Sequence, residues 1–113
     1  MLRSHQRLRR SRDFAKLYQR GKFGKSTHFT IKTLANNQPY TRIGVVISKK
    51  VLKKAVARNR ARRRITELIR PMYDDLKSGY DCVLILKRDI VDLKPSALES
   101  ELKEIFVSSG IVQ

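Results

Sequence analysis

The stretch YDCVLILK, residues 80–87, decides the fold of this 113-residue chain. Its centre is an unbroken apolar row from Cys82 to Leu86, which is typical of a central strand buried on both faces of a sheet. Helices packed against that sheet are the architecture that follows. Cys82 is the single cysteine of the chain, so we predict a buried free thiol.

Two further strands are predicted upstream. Residues 28–35 and 41–48 alternate between apolar and polar or small side chains, the period of a strand. The turn-forming residues 36–39 separate them, which predicts an antiparallel hairpin. A short extra strand is predicted over residues 22–25.

Three helices complete the pattern. Ser11 is predicted to cap a helix that ends at Gly21, and Pro95 to open the last helix. The middle helix starts near residue 55 and ends at Gly79, and Pro71 predicts a kink or split near Arg70. The apolar faces of the three helices are, in order, Phe14, Leu17 and Tyr18; Ala61, Ile65, Leu68, Ile69, Met72 and Leu76; and Leu98, Leu102, Ile105 and Phe106.

This order of elements predicts one α+β domain over residues 1–113, a small two-layer α/β sandwich with a mostly antiparallel sheet and a long crossover helix. Residues 1–10 lack periodicity, and we expect a mobile basic segment there. No stretch approaches the roughly 20 apolar residues of a membrane span. We therefore expect a soluble, cytoplasmic protein with no membrane partner.

The charge is strongly polarised along the chain. The formal net charge is +16, but residues 1–64 carry +19 and residues 65–113 carry −3. Residues 49–64 hold nine basic side chains and no acid, and the start of a helix is a costly place for cations because they face the positive end of the helix dipole. A solubilising surface normally mixes signs, so the pattern favours phosphate binding, for which arginine is well suited.

The basic segment also carries a resemblance. Ser48, Lys49 and Lys50 close a strand, and the residues that follow at 58–63 read RNRARR, with Glu67 shortly after. This resembles the arginine-asparagine-arginine signature of the bacterial ribonuclease P protein component. The likeness extends to residues 7–21, 42–44 and 80–87, and therefore to nearly the full chain; the matching positions are Arg7, Leu8, Asp13, Phe14, Tyr18, Gly21, Arg42, Ile43 and Gly44.

The resemblance implies a protein that assists an RNA enzyme. In this family a large RNA hydrolyses precursor tRNA at its 5′ end with the help of magnesium ions, and the protein binds that RNA and the 5′ leader, which broadens the substrate range. No cofactor bound by the protein alone is implied. The implied partners are the ribonuclease P RNA and precursor tRNA, with a protein that is monomeric when free and present once per RNA.

By position, the resemblance assigns two sets of residues. The contacts to the catalytic RNA are Lys49, Lys50, Lys53, Arg58, Asn59, Arg60, Arg62 and Arg63. The cleft for the single-stranded leader is lined by Phe14, Tyr18, Thr30, Lys32, Val46 and Ser48. Independently of the family, aromatic faces flanked by cations suit unpaired nucleotides. The family fold also implies a left-handed crossover around the middle helix, against the usual rule.

Four positions depart from the family pattern. Ala61 stands where a larger aliphatic residue is common, and Thr66 where another arginine is common, so the basic surface is expected to be shorter or shifted toward Arg64. Lys32 lies near a position often held by an aromatic and would exchange stacking for phosphate attraction. Pro71 is not expected in the family helix.

Catalysis by protein side chains is not predicted. His5 and His28 have no neighbouring ligand at metal spacing, and Asp74 and Asp75 would point in different directions on a helix. Two alternatives stay open from the residues alone. One is a ribosomal or other structural RNA-binding protein, and the other is a DNA-binding module that places the arginine helix in a groove.

Overall fold

The computed structural model describes residues 2–113 and contains four strands, three α-helices and two short 3-10 turns within that range. The strands are β1 (Lys22–Lys25), β2 (Phe29–Ala35), β3 (Arg42–Ile47) and β4 (Tyr80–Leu86). The helices are α1 (Ser11–Arg20), α2 (Ala55–Met72) and α3 (Pro95–Ser108), and the 3-10 turns are Ser4–Gln6 and Tyr73–Asp75. The predicted α+β class is confirmed.

The strands form one sheet in the order β1-β2-β4-β3. β2 pairs with both β1 and β4 in antiparallel fashion, whereas β3 pairs with β4 in parallel. β4 is central, as its apolar row predicts. The predicted hairpin between β2 and β3 is wrong, because β4 lies between them and gains a hydrogen-bonded neighbour on each edge.

The turn between β2 and β3 is fastened to the start of β4 instead. The backbone N–H of Asn36 donates to the carbonyl of Gly79 at 2.8 Å, and the Asn36 side chain donates to Asp81 at 2.9 Å. Asn37 takes a left-handed conformation with φ of 59°. These contacts hold the turn over the start of β4, so that β3 lies on the far side of β4 from β2. The turn residues alone do not indicate this arrangement.

The helices are divided unequally between the two faces of the sheet. α2 and α3 cover one face and enclose the main core, which includes Phe29, Ile31 and Leu84. α1 lies alone on the other face, where Leu17 packs on Val83 in a smaller cluster. The sandwich therefore has a full helical layer on one side and a partial one on the other, and part of the second face stays open.

The N-terminal segment makes defined contacts with the sheet, and its expected mobility stays a prediction. Arg7 forms a parallel bridge with Ile43, and the N–H of Leu8 donates to the carbonyl of Ile43 at 3.0 Å. Leu2 and Leu8 are both buried. Two leucines among the arginines are enough to fix the segment along β3, although they show no periodicity; Met1, where the predicted segment begins, lies outside the described residues.

Three local predictions can be compared directly. Pro71 lies inside the last turn of α2, and the chain passes into the 3-10 turn at Tyr73 rather than splitting at Arg70. Arg10, not Ser11, occupies the N-cap of α1. Cys82 is fully buried as predicted, and burial raises the pKa of its thiol far above the ordinary value.

α2 connects the neighbouring parallel strands β3 and β4, so it is the long crossover helix of the prediction. The left-handed sense of this crossover stays a prediction from the resemblance. None of the helices within residues 2–113 is both long and apolar enough to cross a membrane.

Candidate nucleic-acid interface

A basic ridge runs from the end of β3 into the first turns of α2; we use this name for Lys49, Lys50, Lys53, Asn59, Arg60, Arg62 and Arg63. All of these side chains are exposed except Arg62, which is half-buried. The N-cap of α2 is Lys54, and Arg58 is in the first turn. Cations thus surround the positive end of the helix dipole, an arrangement that a bound polyanion would stabilise.

Arg58 occupies a different place from its neighbours on the ridge. Its guanidinium donates to the backbone carbonyls of Leu52 at 2.9 Å and Lys53 at 2.7 Å. These bonds fasten the loop that carries Lys53 to the first turn of α2. The structure therefore gives Arg58 a role in shaping the ridge, and its predicted contact with RNA stays a prediction.

Arg62 and Asn59 form a connected pair on the helix surface. Arg62 Nη1 donates to Asn59 Oδ1 at 3.0 Å. Arg60 and Arg63 lie on the same helix and are exposed. The Thr66 hydroxyl donates to the carbonyl of Arg62 at 2.9 Å, so the ridge ends in a residue that is bound to its own helix.

The expected shift of the basic surface toward Arg64 is not what the structure shows. Arg64 donates to the carbonyls of Ile90 and Leu93, both at 2.8 Å. Its guanidinium therefore anchors the loop between β4 and α3, and its hydrogen bonds go to that loop. Ala61, one of the four positions that depart from the family pattern, is buried in the core.

Arg7 adds to the ridge, which the sequence pattern did not reveal. A depression of about 280 Å³ between the N-terminal segment and α2 is lined by Leu2, Arg7, Asn59, Arg62, Arg63 and Thr66. Because Leu2 and Leu8 dock the segment, Arg7 lies beside the helical arginines. The four arginines within residues 3–10 were the only sequence signal for this contribution, and they did not indicate where the segment lies in the fold.

The second surface is an open cleft beside α1, on the face of the sheet that α2 and α3 do not cover. Two rows of paired residues cross this face: Lys32, Val83 and Gly44 form one, and Thr30, Ile85 and Val46 form the next. α1 lies over the first row. The second row is half-buried and forms the floor of the cleft.

Phe14 and Tyr18 take different positions along the wall of this cleft. Phe14 lies against the backbone of β3, where a methyl group on Gly44 would come within 2.8 Å of Phe14 Cζ. Tyr18 is 41% exposed, and its ring is 6.4 Å from that of Phe14 at an angle of 30°. Partial burial raises the pKa of Tyr18, so its hydroxyl stays protonated at neutral pH.

Lys32 links Tyr18 of α1 to strand β2. Its Nζ lies 5.6 Å from the centre of the Tyr18 ring and donates to the Tyr18 carbonyl at 2.6 Å. The ammonium is therefore held beside an exposed aromatic face, within the range of a cation–π contact, and it retains donors for an anion.

The cleft and the ridge meet at the end of β3. Val46 lies on the cleft floor, Ser48 is exposed just beyond the strand, and the turn with Lys49 and Lys50 begins there. The carbonyl of Ser48 accepts hydrogen bonds from the N–H groups of Val51 and Leu52, which fixes this turn. Ile85 belongs to the cleft but was missed, because its unbroken apolar row shows no difference between the two faces of β4.

Among residues 2–113 no group of three or more His, Cys, Asp or Glu side chains is arranged to hold a metal ion. The fold and the charge distribution define a small, basic α+β protein that presents a cationic helix beside an aromatic cleft.

Comparison with known proteins assigns the family. The protein-family model described as Ribonuclease P matches residues 2–109. The ribonuclease P protein component of Pseudanabaena sp. is 39% identical over 115 residues, covering 99% of this chain and 97% of the relative. That of Bacillus cereus is 31% identical, covering 97% and 96%. The chain therefore belongs to the family of ribonuclease P protein components, subunits of an endoribonuclease, as the resemblance predicts.

Solved structures agree with the fold. The RNase P protein of Staphylococcus aureus superposes with a TM-score of 0.83 at 23% identity, covering 96% of this chain and 98% of that one. The RNase P protein of Thermotoga maritima gives a TM-score of 0.79 at 26% identity, covering 88% and 94%. The alternative of a ribosomal or other structural RNA-binding protein is not favoured.

Proposed function

We propose that this protein binds the ribonuclease P RNA through the basic ridge and the 5′ leader of precursor tRNA through the cleft, and so assists magnesium-dependent removal of the leader. The RNA subunit carries the catalytic metal ions and the hydrolysis. One protein serves one RNA, and the free protein is monomeric.

The observation that carries this proposal is the presence of two chemically different, adjoining surfaces on one small domain. The ridge offers exposed guanidinium and ammonium groups, which suit the phosphates of a folded RNA. The cleft offers the Tyr18 ring with Lys32 beside it, over a floor that is half-buried. Such a groove suits unpaired bases, because the face of an unpaired base is free to stack on an aromatic ring. This stacking is independent of the sequence.

Two features of these surfaces argue against the other two candidate functions. A purely structural RNA-binding protein needs the ridge but has no use for an aromatic groove next to it. A DNA-binding module with α2 in the major groove would bring base-reading side chains to the helix surface, whereas Arg58 is bonded to the preceding loop and Arg62 to Asn59.

The test is reconstitution of the particle. Purified protein is added to a bacterial ribonuclease P RNA at a magnesium concentration too low for the RNA alone, and release of the leader from precursor tRNA is measured. We expect the protein to restore cleavage and to tighten the binding of precursor tRNA more than that of mature tRNA. Absence of rescue, with RNA binding intact, would refute the proposal.

A further inference from the structure

Phe23 is an exposed aromatic side chain on the edge strand β1. It is 60% exposed and belongs to neither of the two hydrophobic clusters. Packing therefore does not account for a phenylalanine at this position, and exposure of so large an apolar ring is unfavourable unless something covers it.

The register of the sheet places Phe23 beside the cleft. Phe23 pairs directly with Lys32 of β2, and residues directly opposite each other in an antiparallel pair lie on the same face. Lys32 in turn reaches the exposed ring of Tyr18. Tyr18, Lys32 and Phe23 therefore form a row in which one cation lies between two exposed aromatic rings.

We propose that Phe23 is a second base-stacking platform of the cleft. The rings of Tyr18 and Phe23 take two unpaired bases of the same RNA strand, and the Lys32 ammonium binds a phosphate between them. This inference rests on the proposed function, because it adds a subsite to the same leader-binding cleft.

The surroundings of Phe23 favour a polyanion over an apolar protein partner. Lys25 shares the face of Phe23, since it pairs with Thr30 in the same register. Lys22 and Arg20, close by in the chain, are exposed as well. Lysines along an edge strand also discourage the pairing of another protein strand with that edge. An aromatic ring among cations matches the composition of surfaces that bind single-stranded nucleic acid.

The arrangement also answers the departure at Lys32. A lysine at this position offers charge but no stacking surface, and Phe23 supplies a ring one strand further out. The aromatic ring therefore lies at the edge of the sheet, directly beside the lysine.

The experiment uses the holoenzyme assembled with a bacterial ribonuclease P RNA and measures the affinity for precursor tRNAs whose leaders are lengthened one nucleotide at a time. Phe23→Leu keeps an apolar side chain but removes the ring, Phe23→Trp keeps a ring, and Val107→Ala changes an exposed apolar residue on α3 as a control. Circular dichroism checks that each variant folds.

We expect Phe23→Leu to weaken binding at least about 5-fold, the lower end of what one base–aromatic stack supports. The loss should begin only at a certain leader length, and at a different length from the loss caused by Tyr18→Leu. Phe23→Trp and Val107→Ala should bind like the unaltered protein, and mature tRNA should show no change with any variant.

The inference is overturned if Phe23→Leu binds every leader as tightly as the unaltered protein, if Phe23→Trp loses as much as Phe23→Leu, or if the loss is equal for mature tRNA. Failure of the proposed function looks different: the unaltered holoenzyme itself would then fail to distinguish precursor from mature tRNA.

Discussion

Arg42 donates two parallel hydrogen bonds of 2.8 Å to Asp81, from Nε to Oδ1 and from Nη2 to Oδ2. Asp81 is buried, and the hydrogen bond with this carboxylate raises the pKa of Arg42. Arg42 also lies 3.3 Å from Asp13 of α1. One guanidinium therefore links β3, β4 and the helix that carries Tyr18.

Removal of Asp81 should destabilise the fold. In Asp81→Ala the guanidinium loses both short hydrogen bonds in a partly buried place, and the free energy of unfolding should fall by roughly 3 kcal/mol. Urea denaturation measures this. Asp13→Asn breaks a longer contact and should cost less than about 1 kcal/mol; equal losses for the two variants would show that the bidentate pair has no special weight.

Arg60 and Arg63 should contribute phosphate contacts. Replacing both with alanine should weaken binding to the ribonuclease P RNA and reduce its salt dependence by roughly one counterion per lost contact. The measurement is the slope of log affinity against log salt concentration. Lys103→Ala removes a cation on α3, outside the ridge, and is the control. An unchanged slope in the double variant would mean that Arg60 and Arg63 are only solvated and make no phosphate contacts.

Arg64 should behave differently from its neighbours on α2. Because it donates to two carbonyls of the loop before α3, Arg64→Ala should lower stability, by roughly 1 to 3 kcal/mol, and leave the salt dependence of RNA binding as it is. Thermal or urea unfolding and the salt titration together check this. A reduced slope with normal stability would place Arg64 on the RNA-binding surface after all.

Tyr18 should act on the leader alone. Tyr18→Ala is expected to reduce the affinity for precursor tRNA by roughly 1 to 3 kcal/mol if one base stacks on the ring, with no change for mature tRNA. Binding of the two tRNAs to the holoenzyme is compared. An equal loss for both would assign the ring to packing.

Gly44 should be required by the position of Phe14. In Gly44→Ala the new methyl group would lie too close to the Phe14 ring, and the strain should lower the free energy of unfolding by roughly 1 to 3 kcal/mol. Phe14→Leu in the same chain should recover part of this loss. A double-mutant cycle measured by urea denaturation would show independent effects if the two residues were not in contact.

Glu101 should make stability depend on acid pH. Although its burial alone would raise the pKa, hydrogen bonds from Ser26 and from His28 keep the pKa of Glu101 below its ordinary value. The stabilisation is therefore complete above the ordinary carboxyl pKa of about 4.3 and is lost as the pH falls through the lowered value in the folded protein.

The check for Glu101 is the unfolding free energy of Glu101→Gln and of the unaltered protein over a range of pH. The difference between them should be largest near neutral pH and should shrink in acid. Glu104→Gln, an exposed change on the same helix, should give a difference that does not vary in this way; a constant difference for Glu101→Gln would contradict the assignment.

Where hydrophobic pattern and burial agree, the elements follow from the sequence. β4 lies where its unbroken apolar row predicts, α1 and α3 lie where the helical period predicts, and the buried face of α2 includes Ala61, Ile65 and Ile69 as expected. These features depend on which side of a local element is apolar, and such information is contained in a short window of residues. The family followed from the same source, because the signature is contiguous.

The path of the chain between elements was decided by tertiary contacts. The turn residues 36–39 suit a hairpin, but β2 pairs with β4 and not with β3. β4 is apolar on both faces, and a central position in the sheet covers both of them. For the same reason residues 2–10 could not be placed from their composition. Leu2 and Leu8 are buried against β3 and α2, and this surface exists only in the folded domain.

The sequence by itself determined that a cationic helix and a helix with two aromatic residues belong to one small α+β protein. Charge density and apolar period are local properties, which can be read from a short window of residues. Only the tertiary structure decided which of the arginines face outward, since Arg58 and Arg64 are half-buried and donate to backbone carbonyls of neighbouring loops, whereas Arg60 and Arg63 are exposed. It likewise brought Phe23 beside Lys32, because strand register joins residues that no local pattern connects.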